Sequence, residues 1–257
     1  MPDIKKIDKN FENKETNKNL IYLNPKTTDK IKVYGLNWFE QDKRFIRFPK
    51  YSDEMIKNLA EGLCYLVEQT AGVSLAFYSN TKTLKIKVKL GTIFNMGHMA
   101  FTGQGGVDLY IGNNLNDLTY YRTASYNIHN KEYEFTFFDN YDFGNKLFVL
   151  NLPLYSGIQE IEVGIEDEAL IKQADDIFTN GKIVVYGTSI TQGGCASRPG
   201  INYTNALSRR LNYNFLNFGF SGNGRGQKEV VDLFSFELKS IITSASTSQS
   251  AISAKTG

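Results

Sequence analysis

Only two cysteines, Cys64 and Cys195, and two histidines, His98 and His129, occur in the 257 residues. The cysteines lie far apart, which gives neither a disulfide framework nor a zinc-binding spacing, and both read as reduced thiols. No metal or other cofactor is expected. No apolar stretch approaches the roughly 18 residues of a membrane span. The N-terminus MPDIKKIDKNFENKETNKN is polar and lacks the apolar core of a secretory leader. The expected compartment is the cytoplasm, with secretion left open if a leader has been removed. Neither sign of charge dominates: the formal net charge is +2 and the basic residues are scattered. Clusters such as Lys5-Lys6 read as solvated surface, so neither a nucleic acid nor a membrane is an expected partner.

What is present is an apolar fraction of 41%, enough to core one large domain or two ordinary ones. Residues 1–30, rich in Lys, Asn and Asp, read as a flexible lead-in. Between Tyr51 and Thr70 the apolar spacing fits helix and strand alike, with a helix favoured in the first half. After Ala71-Gly72 the texture is β. The runs VSLAFYS and TLKIKVKL flank Asn80-Thr81-Lys82 and read as a hairpin. VDLYIG, LTYYRTA, EYEFTFF, KLFVLNLP and QEIEVGI follow, separated by turn signals. Short strands at this spacing predict a β-sandwich, jelly-roll-like, over residues 31–166.

From residue 167 the period changes. KIVVYG and NFLNFGF read as buried strands. NYTNALSRRL, with Tyr203, Ala206, Leu207 and Leu211 on one face, and KEVVDLFSFEL read as helices. Strand, helix, strand, helix opens a parallel α/β sheet over residues 167–240. Residues 241–257 are polar, low in complexity and expected to be disordered.

Ser189 falls just past the first of these strands, where open α/β sheets place their active sites. Its hydroxyl could be a nucleophile or only a helix cap. The second strand runs into Gly219-Phe220-Ser221-Gly222-Asn223-Gly224, whose glycines let backbone amides approach a ligand. Read as a phosphate cradle, this loop would bind a nucleotide, although a dinucleotide fingerprint starting at Gly222 would need glycine at position 227, where Gln stands. His98, in MGHMAF, and His129 read first as packed or surface histidines. Tyr120-Tyr121 could stack on a sugar, although strand aromatics usually fill cores.

YGTSITQGG, followed by NFGFSGNGRG, resembles the SGNH hydrolases, the GDSL-type esterases. MGHMAFTGQGGVDLY and LPLYSGIQEIEVGI resemble an N-terminal sandwich found on some bacterial members. The resemblance covers roughly residues 31–234. It implies an α+β two-domain chain: a β-sandwich followed by a partial SGNH three-layer α/β domain. It implies hydrolysis of a small acyl ester, plausibly acetyl on a carbohydrate, without a metal. Ser189 would be nucleophile and oxyanion amide, and Gly222 a second oxyanion amide. Thr188 stands at the family's usual Asp position. Thr188, Asn223, Arg225 and His98 are candidate substrate-binding residues. The family's later Asn block and late Asp-x-x-His do not follow Gly226, so the resemblance implies a truncated or frameshifted chain, weakly active or inactive. A non-catalytic carbohydrate-binding module and a nucleotide-binding protein are the alternative readings.

Overall fold

A computed structural model describes residues 19–49, 56–57, 59–175 and 177–237. In chain order its strands are Leu20–Leu23 (β1), Lys32–Tyr34 (β2), Ser74–Ser79 (β3), Leu84–Leu90 (β4), Asp108–Gly112 (β5), Thr119–Thr123 (β6), Glu132–Phe138 (β7), Lys146–Asn151 (β8), Ile158–Glu166 (β9), Ile171–Gln173 (β10), Lys182–Gly187 (β11) and Asn214–Gly219 (β12). Three helices concern the site: Ser189–Gln192 (α1), Tyr203–Leu211 (α2) and Lys228–Glu237 (α3). No helix among the described residues is long and apolar enough to cross a membrane.

The first ten strands form two antiparallel sheets. One has the order β1-β9-β4-β7; the other runs β10-β3-β8-β5-β6, with β2 also on β3. β4 shows why the sheets stack. Leu84, Ile86, Val88 and Leu90 point inward, and Lys85, Lys87 and Lys89 point out, as the two-residue period of a strand requires. Lys87 and Lys89 meet Glu134 and Glu132 on β7 at 3.7 and 3.0 Å. Leu75, Phe77, Phe148, Leu150, Ile161 and Val163 complete the interior from the other strands.

β8 is buried along nearly its whole length. One face meets the sandwich core. On the other, Leu147 and Val149 meet Tyr34, Ala174 and Ile177. This second cover explains the unbroken apolar run LFVL, Leu147 to Leu150.

The expected hairpin at Asn80-Thr81-Lys82 is not one. β3 pairs with β2, β8 and β10, whereas β4 pairs with β7 and β9 in the opposite sheet. Buried hydroxyls make the crossing feasible: Thr81 N donates to Ser79 Oγ at 3.1 Å and Thr81 Oγ1 to Thr83 O at 2.7 Å. The chain thus changes sheets without stranding its backbone groups.

The expected domain limits are also corrected. The lead-in expected over residues 1–30 contains β1, which pairs with Val163–Glu166 of β9. At the other end β10 extends the sheet past residue 166, pairing with Phe77–Ser79. The predicted tail at 241–257 lies outside the described residues. Between Tyr51 and Thr70 residues 56–57 are helical, in the first half of the window as expected, and a further helix, Glu61–Leu66, lies in its second half. Its Leu63 and Leu66, with Trp38, Phe48 and Val67, pack not in the sandwich but against Val184, Leu216 and Phe218.

β11 and β12 run parallel, Ile183 opposite Phe215 and Gly187 opposite Gly219. On one face Ile183, Val185 and Phe215 pack with Tyr203 and Leu207 of α2. On the other, Val184, Leu216 and Phe218 pack with Val230, Leu233 and Phe234 of α3 and with the helix Glu61–Leu66. This is the three-layer arrangement. The fully or nearly buried residues of α2 are Thr204, Asn205 and Ser208, while Leu211, expected on the apolar face, is exposed. The polar side of this helix faces inward because Thr204 Oγ1 and Ser208 Oγ accept from Asn217 Nδ2 and Phe215 N of β12, and Asn205 Nδ2 donates to Pro199 O.

Candidate active site

β11 ends at Gly187, where a Cβ would come within 2.2 Å of Thr191 Oγ1. A side chain there would push α1 off the strand, so the residue type follows from close packing. Ser189 opens α1 and is half-buried. Its carbonyl accepts from Gly193 N at 3.0 Å and Gly194 N at 2.7 Å, which closes the helix into a tight turn. The N-cap position is Thr188, without a side-chain cap bond. Ser189 Oγ has no hydrogen-bond partner among the described residues, so capping does not account for it.

The loop after β12 lies directly on this turn. Phe220 N donates to Gly187 O at 2.9 Å, continuing the ladder past the strand end. A Cβ on Gly224 would stand 2.2 Å from Gly187 O and 3.0 Å from Thr188 N, so only glycine allows the approach. Gly222 has φ +70°, is exposed, and would have no atom within 4 Å of an added Cβ. Ser189 and Gly222 are therefore brought to the same C-terminal sheet edge. The far end of the loop is tied by Gly226 N, donating to Tyr186 OH at 2.7 Å.

The other expected residues divide. Thr188 belongs to the turn under Gly224. Asn223 braces the loop from within: its N donates to Phe220 O at 2.8 Å and its Nδ2 to Ser221 O at 3.2 Å. Arg225 is exposed and turns back, Nε donating to Gly222 O at 3.0 Å. His98 is exposed on a turn of the sandwich and forms no hydrogen bond with Ser189 among the described residues. Its neighbourhood does reach the α/β unit. Met99 packs near Ala196, Gly103 lies against Ala196 O, and Thr102 Oγ1 donates to Ser197 O at 2.7 Å. His129 is exposed in its own loop.

Four buried polar residues escaped the sequence reading. Gln192 ends α1; its Oε1 accepts from Ser221 N at 2.8 Å. Asn217, inside the apolar strand β12, donates to Thr191 O at 2.7 Å and Thr204 Oγ1 at 3.0 Å and accepts from Gly219 N at 2.8 Å. Arg47 is 1% exposed. It donates to Asn217 O and Gly219 O at 2.9 and 2.7 Å and to Leu66 O, and lies 4.5 Å from the centre of the Phe220 ring. It occupies the position of a neighbouring strand along β12. Burial pulls its pKa down to about 9, with Tyr155 working the other way. The available signals were the arginine inside FIRF and the asparagine inside NFLNFG, polar residues in apolar runs.

The fourth, Asp108, latches the sandwich to the α/β unit. Its carboxylate accepts from Asn151 Nδ2 at 2.8 Å and Gly200 N at 2.7 Å, with Arg198 Nε at 3.7 Å. Burial pushes its pKa up to about 6, against the pull of these donors and of Arg198 and Arg209. The two guanidinium groups also stack on Tyr120 and Tyr110, each at 4.1 Å.

Asp108 stands within Gly106-Val107-Asp108-Leu109-Tyr110. Residues 20–171 match the GxDLY family, the N-terminus of SGNH-hydrolase-type esterases. Residues 180–242 match the GDSL-like lipase/acylhydrolase family. The chain belongs to the SGNH-type hydrolases that carry this GxDLY N-terminus. Among solved structures it is similar to a candidate GDSL-like lipase from Bacteroides ovatus, with TM-score 0.78 and 28% identity over 88% of this chain and 64% of that one. It shares a fold with a salicylyl-acyltransferase from a tetracycline biosynthetic pathway, with TM-score 0.67 and 19% identity over 87% of this chain and 60% of the other. The chain thus spans under two thirds of the length of either structure. No curated protein matches the sequence at a significant level.

Proposed function

We propose that the chain acts on small acyl esters, with acetyl groups on a carbohydrate as the substrate class and Ser189 as nucleophile. The observation that supports the reading is the seating of the 220–224 loop, through Phe220 N and Gly224, on Gly187 and Thr188, at the sheet edge where Ser189 opens α1. Ser189 Oγ attacks the ester carbonyl, and the Ser189 and Gly222 amides receive the oxyanion. Such a donor is worth about 2.7–4 kcal/mol in a working site. Collapse expels the alcohol and leaves an acyl-serine, which water hydrolyses to free acid and serine. The serine proton must pass to a base and then to the leaving alkoxide.

Neither histidine is hydrogen-bonded to Ser189 among the described residues, and an unassisted serine hydroxyl is a poor nucleophile. The reading therefore expects slow turnover from these 257 residues. Thr188 and Asn223 shape the loop that receives the acyl group. Arg225, tied to Gly222 O, serves the loop more than the substrate. A nucleotide cradle is disfavoured because the glycine loop is already packed on the serine turn. The test is hydrolysis of 4-nitrophenyl acetate and of an acetylated xylo-oligosaccharide by the chain and by Ser189→Ala, with labelling by a fluorophosphonate located by mass spectrometry. The expected result is labelling at Ser189 and slow hydrolysis lost in Ser189→Ala. Labelling elsewhere, or hydrolysis equal in both proteins, rejects the reading.

A further inference from the structure

We propose that Gln192 is a positioning residue that fixes the Gly222 amide relative to Ser189, and that it is itself held by the sandwich side of the molecule. As an oxyanion device this rests on the esterase reading above; as a structural strut it stands alone. Gln192 is fully buried and lies three residues after Ser189, on the same short helix. Its backbone is locked: N donates to Thr188 O at 3.0 Å, and its carbonyl accepts from Asn202 Nδ2 at 3.1 Å. Its side chain leaves this fixed base in two directions. Oε1 accepts from Ser221 N at 2.8 Å. Nε2 donates to Leu154 O at 3.1 Å and to Gln69 Oε1.

The chemistry matches an amide and no other side chain of this size. The site needs one acceptor toward Ser221 and two donors toward Leu154 and Gln69. A carboxylate would supply the acceptor without the donors, and an alkyl group neither. Ser221 immediately precedes Gly222, so holding its N–H limits rotation of the peptide that carries the Gly222 amide. Arg225 Nε holds the same segment from the other side, through Gly222 O. Leu154 is followed by Tyr155, whose buried phenol is raised by desolvation and drawn partly back by the Ser221 side chain. The Leu154–Tyr155 segment, leading from β8 to β9, thus meets the loop directly at Ser221, through Tyr155, and indirectly through Gln192, which Leu154 O holds. On this account the GxDLY unit is a working part of the site, not an appended module.

The test uses the full chain with Gln192→Leu and Gln192→Glu. Amide exchange is read by NMR at Ser221, Gly222 and the core amides Ile86 and Val163. Ser189-dependent hydrolysis of 4-nitrophenyl acetate is read as kcat and KM. In Gln192→Leu, Ser221 exchange is expected to rise about 100-fold with Ile86 and Val163 unchanged, and kcat to fall about 100-fold with KM within about threefold, the size of a lost oxyanion donor. Gln192→Glu keeps the acceptor and is expected to keep Ser221 exchange within about tenfold of the parent. Unchanged Ser221 exchange in Gln192→Leu overturns the proposal. So does equal loss of protection at Ser221 in both variants. If the parent shows no Ser189-dependent hydrolysis, the esterase reading fails while Ser221 exchange still decides the strut.

Discussion

Between its two sheets the sandwich is apolar throughout, from Leu75 and Phe77 through Ile86 and Val88 to Val163 and Ile165. The interior around β12 is crossed instead by Arg47, Gln69, Gln192, Thr204 and Asn217, all buried and hydrogen-bonded. The two fillings do different work. Apolar burial is non-directional and scales with area, about 25 cal/mol per Å². A buried hydrogen bond adds only about 1 kcal/mol net but fixes a geometry, and it is costly to leave half-made. The sandwich supplies stability, while the polar struts determine where Ser189, Ser221 and Gly222 stand.

The sharpest way to probe that contrast is to damage each interior in its own terms. Phe148 is fully buried, with ring centres 5.5 Å from Phe77 and 5.9 Å from Phe138. Phe148→Ala should cost about 3–5 kcal/mol in chemical denaturation. Arg47→Met should cost less, about 1–3 kcal/mol, because it strands the carbonyls of Leu66, Asn217 and Gly219 but removes a buried charge. Its distinguishing effect is local. Amides of β12 and the following loop should exchange faster while those of β4 and β9 hold, as read by hydrogen exchange. Equal loosening of both regions would show that they unfold as one unit and erase the contrast.

The latch between the regions should be legible in pH. The Asp108 carboxyl has a pKa of about 6 in the folded chain against an ordinary 3.8, so the folded state holds the proton more tightly. Its contribution to stability is full below about pH 4 and is lost as the pH rises through 6. Asp108→Asn carries no such dependence. The Tm of the parent minus that of Asp108→Asn should therefore fall between pH 4 and 7. A difference that grows with pH would mean that Arg198 and Arg209 outweigh burial. The smallest effect is expected where neither filling is touched. Leu211→Lys, at an exposed position, should shift stability by no more than about 0.5 kcal/mol.

The same contrast decides what could be read from the sequence. Alternating runs such as LKIKVKL announce a half-buried strand, and every such run became one. The sheet to which a strand belongs is not local information. Buried hydroxyls at Ser79, Thr81 and Thr83 make a crossing between sheets look like a polar hairpin turn. Likewise Ile46, Phe48, Leu63, Leu66 and Val67 would be apolar in any core, and nothing local says that they cover β11 and β12. The placement of Ser189 and Gly222 at one sheet edge was legible because two apolar strands run straight into serine and glycine. Gln192, Arg47 and Asp108 were not, because polar residues read as surface until their partners are known. Those partners are distant in sequence: Gln192 reaches Gln69 and Ser221, Arg47 reaches Asn217, and Asp108 reaches Gly200.

Gly222 and Gly224, two positions apart, are glycine for opposite reasons, and sequence drift should treat them differently. At 224 there is no room: a methyl group would strike Gly187 O. At 222 there is open space but a left-handed backbone, φ +70°. Asparagine and aspartate tolerate that conformation. Descendants of this chain could therefore exchange the residue at 222 for either while keeping its amide in place, adding a polar side chain at the rim of the site. Position 224 would stay silent. A pool of folded variants would show a narrow spectrum at 222 and a single letter at 224, so that the loop can gain a new substrate contact at one glycine only while the other anchors its seat.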